Sequence, residues 1–169
     1  MDHTAVQAGA YLHHVAFESA NPARLAGFYG AAMDMEVVRV SDREWRCEGP
    51  GRRMIVQLGE DKRLAYAGFA CRNAGGLAGI RLRAKQENLE ILPSPSAYFK
   101  LDDFAVRDPN GQLICFGLTQ SVTRPFKGLQ GPVQHLTFAA PDVQAFVDFY
   151  HGKLGFSLTD RVRHDSGEL

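Results

Sequence analysis

Three stretches of the chain carry the same alternation of apolar and polar positions: LHHVAFESAN from Leu12 to Asn21, LAYAGFACRN from Leu64 to Asn73, and VQHLTFAAPD from Val133 to Asp142. A period of two places Val15 and Phe17, Ala67 and Phe69, Leu136 and Phe138 on one face of a strand. His14 and Ala16, Tyr66 and Gly68, His135 and Thr137 take the opposite face, which mixes small residues with His or Tyr as the floor of a cleft would. Each stretch ends in Asn21, Asn73 or Asp142, whose side-chain oxygen can accept a bond from the orphan amides of a helix's first turn. The period then becomes helical. Leu25, Phe28, Tyr29 and Ala32 form one predicted stripe, Leu77, Ile80 and Ala84 a second, and Val143, Phe146, Val147 and Tyr150 a third. Pro22 suits the first helical position, where its missing amide would be unpaired anyway.

The first and third copies overlay without a gap, because both His14 to His135 and Tyr29 to Tyr150 are steps of 121 residues. Strand-like sequence follows the first two helices: Glu36 to Val40, Glu44 to Glu48 and Arg53 to Leu58, then Glu90 to Leu92, Phe104 to Val106 and Leu113 to Leu118. Asp108-Pro109-Asn110-Gly111 is a tight turn before the last of these. The pattern predicts an α+β fold of tandem βαβββ modules, two complete and a third incomplete. Residues 1–120 make a first domain of two modules (about 9–60 and 61–120), 121–131 a linker, and 132–169 the opening of a third module.

These paired units, with His near the start of a first strand, Phe-Tyr in the helix, Leu154-Gly155-Phe156 after it and Asp-Pro-Asn-Gly before a last strand, resemble the vicinal oxygen chelate superfamily. That group includes glyoxalase I, bleomycin-resistance proteins and type I extradiol catechol dioxygenases. The order of parts is most similar to the dioxygenases, in which two metal-free units precede two catalytic ones. The resemblance implies a catechol-type aromatic diol and O2 as reactants, Fe(II) as cofactor with Mn(II) as the conceivable substitute, and His135 as the first metal ligand. Such a site needs two His and one carboxylate on one side of the metal, so the chain reads as the N-terminal domain plus the start of the catalytic one. The resemblance leaves catalytic residues beyond the metal ligand unassigned and implies no organic cofactor. Two other readings remain open. One is a metal-free binding protein of the bleomycin-resistance kind. The other is a glyoxalase-like isomerase, which would need carboxylates near Val56 and Cys115.

Lys plus Arg and Asp plus Glu each total 19, so net charge gives no reason to expect nucleic acid or an anionic membrane as partner. Cys47, Cys71 and Cys115 are widely spaced and odd in number, pointing to buried free thiols and a cytoplasmic protein. No stretch is long or apolar enough to span a bilayer as a helix. The apolar surface of the incomplete module predicts a homo-oligomer or docking onto the first domain. His14 reads as a hydrogen-bonded structural His and His13 as a residue on the helix side. Glu18 lies about 13 Å along the strand from His14, too far to share a metal, and reads as a solvent residue at the strand end. His151 is expected near the last helical carbonyls, His164 in a hairpin turn, and Trp45 in the core or cleft wall.

Overall fold

All three expected passages from strand to helix are closed by the same bond. Asn21 Oδ1 accepts from Arg24 N at 3.1 Å, Asn73 Oδ1 from Gly76 N at 2.9 Å, and Asp142 Oδ1 from Ala145 N at 2.9 Å. Each satisfies an amide that the helix cannot. The structure is a computed structural model describing residues 3–99, 102–119, 131–133, 135–160, 163–164 and 167–168. The first unit comprises β1 (Tyr11–Ser19), α1 (Pro22–Ala32), β2 (Glu36–Arg39), β3 (Glu44–Gly49) and β4 (Arg52–Leu58). The second comprises β5 (Arg63–Ala70), α2 (Ala74–Gln86), β6 (Phe104–Arg107) and β7 (Leu113–Gly117).

These seven strands form one sheet in the order β2-β3-β4-β1-β5-β7-β6. β1 and β5 run antiparallel at its centre, and each has its own unit's last strand as a parallel neighbour. The two halves therefore repeat one topology on either side of a central seam. They differ at the outer edge. Where the first unit has β2, the second has a single bridge from Leu92 to Ala105 instead of the expected strand Glu90–Leu92. Pro93 and Pro95 follow directly, and a proline neither donates to a ladder nor lets one continue through it.

The two faces of the sheet pack differently, as the alternation requires. Val15, Met54 and Val56 meet Ala26, Met35 and Cys47 under α1, while Ala67, Ile114 and Phe116 meet Leu77, Ile80 and Ala84 of α2. On the opposite face Ala16, Ile55, Tyr66, Ala105 and Cys115 gather with Phe99. The α2 stripe is the expected one. That of α1 is rotated: Phe28 is 63% exposed and Ala32 is exposed too, whereas Pro22 and Ala26 are buried. Phe28 and Ala32 lie about 200° and 240° around the helix from the buried Ala26, and the cap at Asn21 fixes the wheel so that Pro22 faces inward.

In the third unit α3 (Val143–Val147) runs into a π-helical turn, Asp148–Lys153. Two short strands, β8 (Arg163–His164) and β9 (Gly167–Glu168), pair antiparallel beyond it, consistent with the hairpin expected there. The expected strand Val133–Ala139 joins no ladder among the described residues, where the unit has no counterpart of β4 to pair with it, and a strand persists only against a partner. The third unit docks on the second instead. Phe149 and Leu154 are buried in the cluster of Leu77, Ile80, Phe104 and Phe116, with Phe156 and Tyr150 packed against it. Ala5 N and Val6 N donate to Leu154 O and Gly155 O at 2.9 and 3.4 Å, and Arg83 donates to the carbonyls of Gly152 and Lys153.

Candidate functional site

The richest set of titratable side chains lies on the cleft face of the sheet, around β1. The β1–β5 register shifts between Leu12, opposite Phe69, and His14, opposite Gly68. The extra residue is His13, and such a bulge re-aims side chains. His13 therefore does not face the helices as the alternation predicts. It lies beside His14, with Nδ1 of each ring 2.9 Å from Nδ1 of the other, so one imidazole donates to its neighbour. His14 Nε2 is 2.8 Å from Ser96 Oγ, which also accepts from Tyr98 N. His14 is thus a fully buried, hydrogen-bonded histidine, as expected. Burial, with Arg53 nearby, pulls His13 down to about 4; burial, then His13 and Arg53, pulls His14 down to about 3. Both are neutral at pH 7.

The segment from Pro93 to Phe99 lies across this floor as a strap. The rings of Tyr98 and Phe99 each sit 5.0 Å from that of His14, and Tyr66 borders it at 5.6 Å. Tyr98 Oη donates to Glu48 Oε1 at 2.7 Å, and Arg46 lies over the Tyr98 ring at 5.2 Å while paired with Glu44. Burial pushes the phenols of Tyr66 and Tyr98 far above their ordinary range, with Glu48 adding to the rise at Tyr98. Two glycines make the arrangement possible. A Cβ on Gly68 would fall 2.1 Å from His14 Cε1, and one on Gly117 would fall 2.3 Å from Phe99 Cγ. Sequence reading found His14 and Tyr66 through their alternation. It missed Ser96, Tyr98 and Phe99, because a strap that opens on two prolines carries no period.

His135 lies apart from this cluster, exposed, on the segment that enters the third unit. The segment is fastened at both ends. Arg52, only 4% exposed, donates to the carbonyls of Met33, Asp34 and Gly131, and Val133 N donates to Gly51 O. Farther along, Asn110 Nδ2 donates to Ala139 O at 3.0 Å, and Tyr150 Oη to Asp108 Oδ2 at 3.0 Å. Asn110 and Asp108 belong to the expected tight turn, in which Gly111 has φ +79° and its amide bonds Asp108 O. Among the described residues no group of three His, Cys, Asp or Glu side chains could hold a metal ion, so these residues do not by themselves make an iron site around His135.

The remaining candidates have structural partners. Glu18 is not a free strand-end residue: its carboxylate accepts from Glu60 N at 3.2 Å and from Gln57 Nε2 at 3.5 Å, and lies 3.9 Å from Arg63. His151 Nδ1 is 2.8 Å from Phe156 O, just beyond the helix end. Trp45 packs beside the core under α1, with Arg39 over its ring. Cys47, Cys71 and Cys115 are free and buried, and burial raises each thiol, Cys115 to about 12. Beside α3 an open apolar groove of about 610 Å³ is lined by Phe138, Val143, Phe146, Val147, Tyr150 and Leu158, among others.

Residues 133–168 match the model of the Glyoxalase/Bleomycin resistance protein/Dioxygenase superfamily. The seven-stranded α+β architecture matches the vicinal oxygen chelate fold of its structural neighbours, and the proteins that the chain is similar to include catechol dioxygenases. The biphenyl-2,3-diol 1,2-dioxygenases of Paraburkholderia xenovorans (strain LB400) and Metapseudomonas furukawaii are each 28% identical over 151 residues, covering 79% of this chain and 47% and 46% of theirs. The chain thus spans about half the length of these relatives. The crystal structure of BphC, a halotolerant catechol dioxygenase, superposes with a TM-score of 0.75 at 18% identity, covering 92% of this chain and 58% of that one. Homoprotocatechuate 2,3-dioxygenase from Brevibacterium fuscum, in complex with 3,4-dihydroxyphenylacetate, gives 0.75 at 15%, covering 94% and 54%. Among the described residues no helix is long and apolar enough to cross a membrane.

Proposed function

We propose that this chain is part of an extradiol ring-cleaving dioxygenase that acts on a catechol-type aromatic diol with O2 and non-haem Fe(II), with Mn(II) as the conceivable substitute. The supporting observation is the alignment of 151 residues with two biphenyl-2,3-diol 1,2-dioxygenases. In this reading residues 1–120 form a metal-free first domain, 121–131 a linker, and 132–169 the opening of the metal-binding module. His135 is one metal ligand, and the second His and the carboxylate come from outside these residues. Because the described residues do not complete the site, no chemical step is assigned to them. Their part is mechanical: Arg52, Gly51 and Asn110 fasten the ends of the segment that carries His135.

The reading places the protein in the cytoplasm and has it act as a homo-oligomer, which buries the groove beside α3. It is tested by loading the purified full-length protein with Fe(II) under anaerobic conditions, admitting O2 and a catechol, and following ring-opened product by absorbance. Yellow product that disappears with His135→Ala supports it. Iron uptake and turnover unaffected by His135→Ala remove His135 from the site, and no product from iron-loaded protein removes the dioxygenase. A single light-scattering species of monomer mass at micromolar concentration would refute the oligomer.

A further inference from the structure

Helix α1 presents to solvent a face whose repeat is buried elsewhere in the chain. Ala23, Arg24, Gly27, Phe28, Ala31 and Ala32 are all exposed, Phe28 by 63%. The solvent face of a helix is ordinarily charged, yet Arg24 is the one charged residue of α1. Phe149, Gly152 and Lys153 stand 121 residues after Phe28, Ala31 and Ala32. In the third unit this face is a docking surface. Phe149 is buried in the cluster of Leu77 and Ile80 of α2, and Arg83 of α2 donates to Gly152 O and Lys153 O at 2.6 and 2.7 Å. Such a face takes apolar contact at its phenylalanine and an arginine at the carbonyls that end its helix.

Helix α1 supplies both to a second α1. Its last turn has no basic residue to meet the negative end of the helix dipole, and its first turn carries Arg24 and no acid. Each end therefore holds the charge that attracts the opposite end of another copy. An antiparallel pair about a two-fold axis at Gly27 sets each Arg24 beside Ala31 O and Ala32 O of the other helix. Each Phe28 then lies against the second helix, whose Gly27 and Ala31 let the backbones approach. A Cβ built on Gly27 has no heavy atom within 4 Å, so the crossing point is open.

We propose that α1 is a contact between two copies of this chain, packed antiparallel through Phe28, with Arg24 of each copy capping the carbonyl end of the other's helix. The same patch serves both copies, so the contact closes on itself as a dimer. It uses none of the residues that line the groove beside α3. It also uses none of the groups assigned to the dioxygenase reading, and stands or falls independently of it.

Sedimentation velocity of the full chain at micromolar concentration reads the mass of the assembly. Phe28→Glu should halve that mass by weakening the contact at least about thirtyfold, with the thermal midpoint little changed because Phe28 lies outside the core. Arg24→Glu should weaken it about tenfold, and Arg24→Lys much less. A short bis-maleimide should join Gly27→Cys chains in pairs, against a low background because Cys47, Cys71 and Cys115 are buried. The same reagent should leave Glu60→Cys, an exposed position outside α1, as single chains. Val143→Glu, in the groove beside α3, should leave the Gly27→Cys cross-link intact, which separates the two contacts. A wild type that sediments as a monomer overturns the proposal, as does a Phe28→Glu protein of unchanged mass. Loss of mass in Phe28→Glu without a cross-link in Gly27→Cys overturns it too, because Phe28 would then meet some other surface.

Discussion

His13 and His14 face each other across 2.9 Å, an arrangement that accommodates one shared proton but not two imidazolium charges. Their pKa values, about 4 and about 3 in the fold, lie below the 6.5 of a free imidazole. An unfolded chain therefore binds protons at these two sites below about pH 6.5, while the folded chain does not until about pH 4. The stability from keeping them neutral is fully present above pH 6.5 and is lost as pH falls through 5. At its steepest the loss approaches two protons, or about 2.7 kcal/mol per pH unit. Urea unfolding at pH 7, 6 and 5 measures it. His14→Gln should halve the slope, and an unchanged slope would show that the pair is not the titrating element. Gly68→Ala, which drives a methyl into the His14 ring, should cost about 1–3 kcal/mol in the same assay.

At the level of elements, the three caps are equivalent in sequence and in geometry, so their loss should be equivalent in size. Asn21→Ala and Asn73→Ala should each destabilise by about 1 kcal/mol in thermal unfolding, whereas the corresponding Asp should be tolerated at either position. These elements were legible in the sequence because each depends on a local rule: a period, a cap three residues before the amide it serves, a glycine at positive φ. Features set by distant partners were not legible. The phase of α1 depends on which side of Pro22 meets the sheet, so Phe28 reads as core although it is exposed. Glu90–Leu92 alternates like a strand but stops at one bridge, because the prolines behind it end the ladder. His13 moved to the cleft because Gly68 across the seam admits a bulge, which the local alternation around His13 does not reveal. His135 became a candidate ligand through its family position and the cleft-facing alternation, and among the described residues no group of three His, Cys, Asp or Glu could hold a metal ion.

For the whole molecule, the contacts of the third unit are concentrated on the second. Tyr150 bonds Asp108, Asn110 bonds Ala139 O, Arg83 holds the end of the π turn, and Phe149 with Leu154 fills the core under α2. Tyr150→Phe combined with Asn110→Ala should loosen this seat without melting the seven-stranded sheet. Hydrogen exchange should quicken in residues 143–156 by roughly an order of magnitude, as a loss of about 1–2 kcal/mol implies, while β1, β4 and β5 stay protected. Uniform quickening across the sheet would mean that the three units unfold as one cooperative body.

The guanidinium of Arg52 sits buried where α1 ends, bonded to Met33 O and Asp34 O of the first unit and to Gly131 O, some eighty residues later. The first two carbonyls come together only when α1 has formed and β4 has paired beside β1. Arg52 turns Nη2 toward those two carbonyls and Nη1 toward Gly131 O, so the seat for residue 131 is built on a side chain that the end of α1 holds in place. During synthesis the first unit can close while the His135 segment is still unmade, and the later segment can then arrive at a finished receptor.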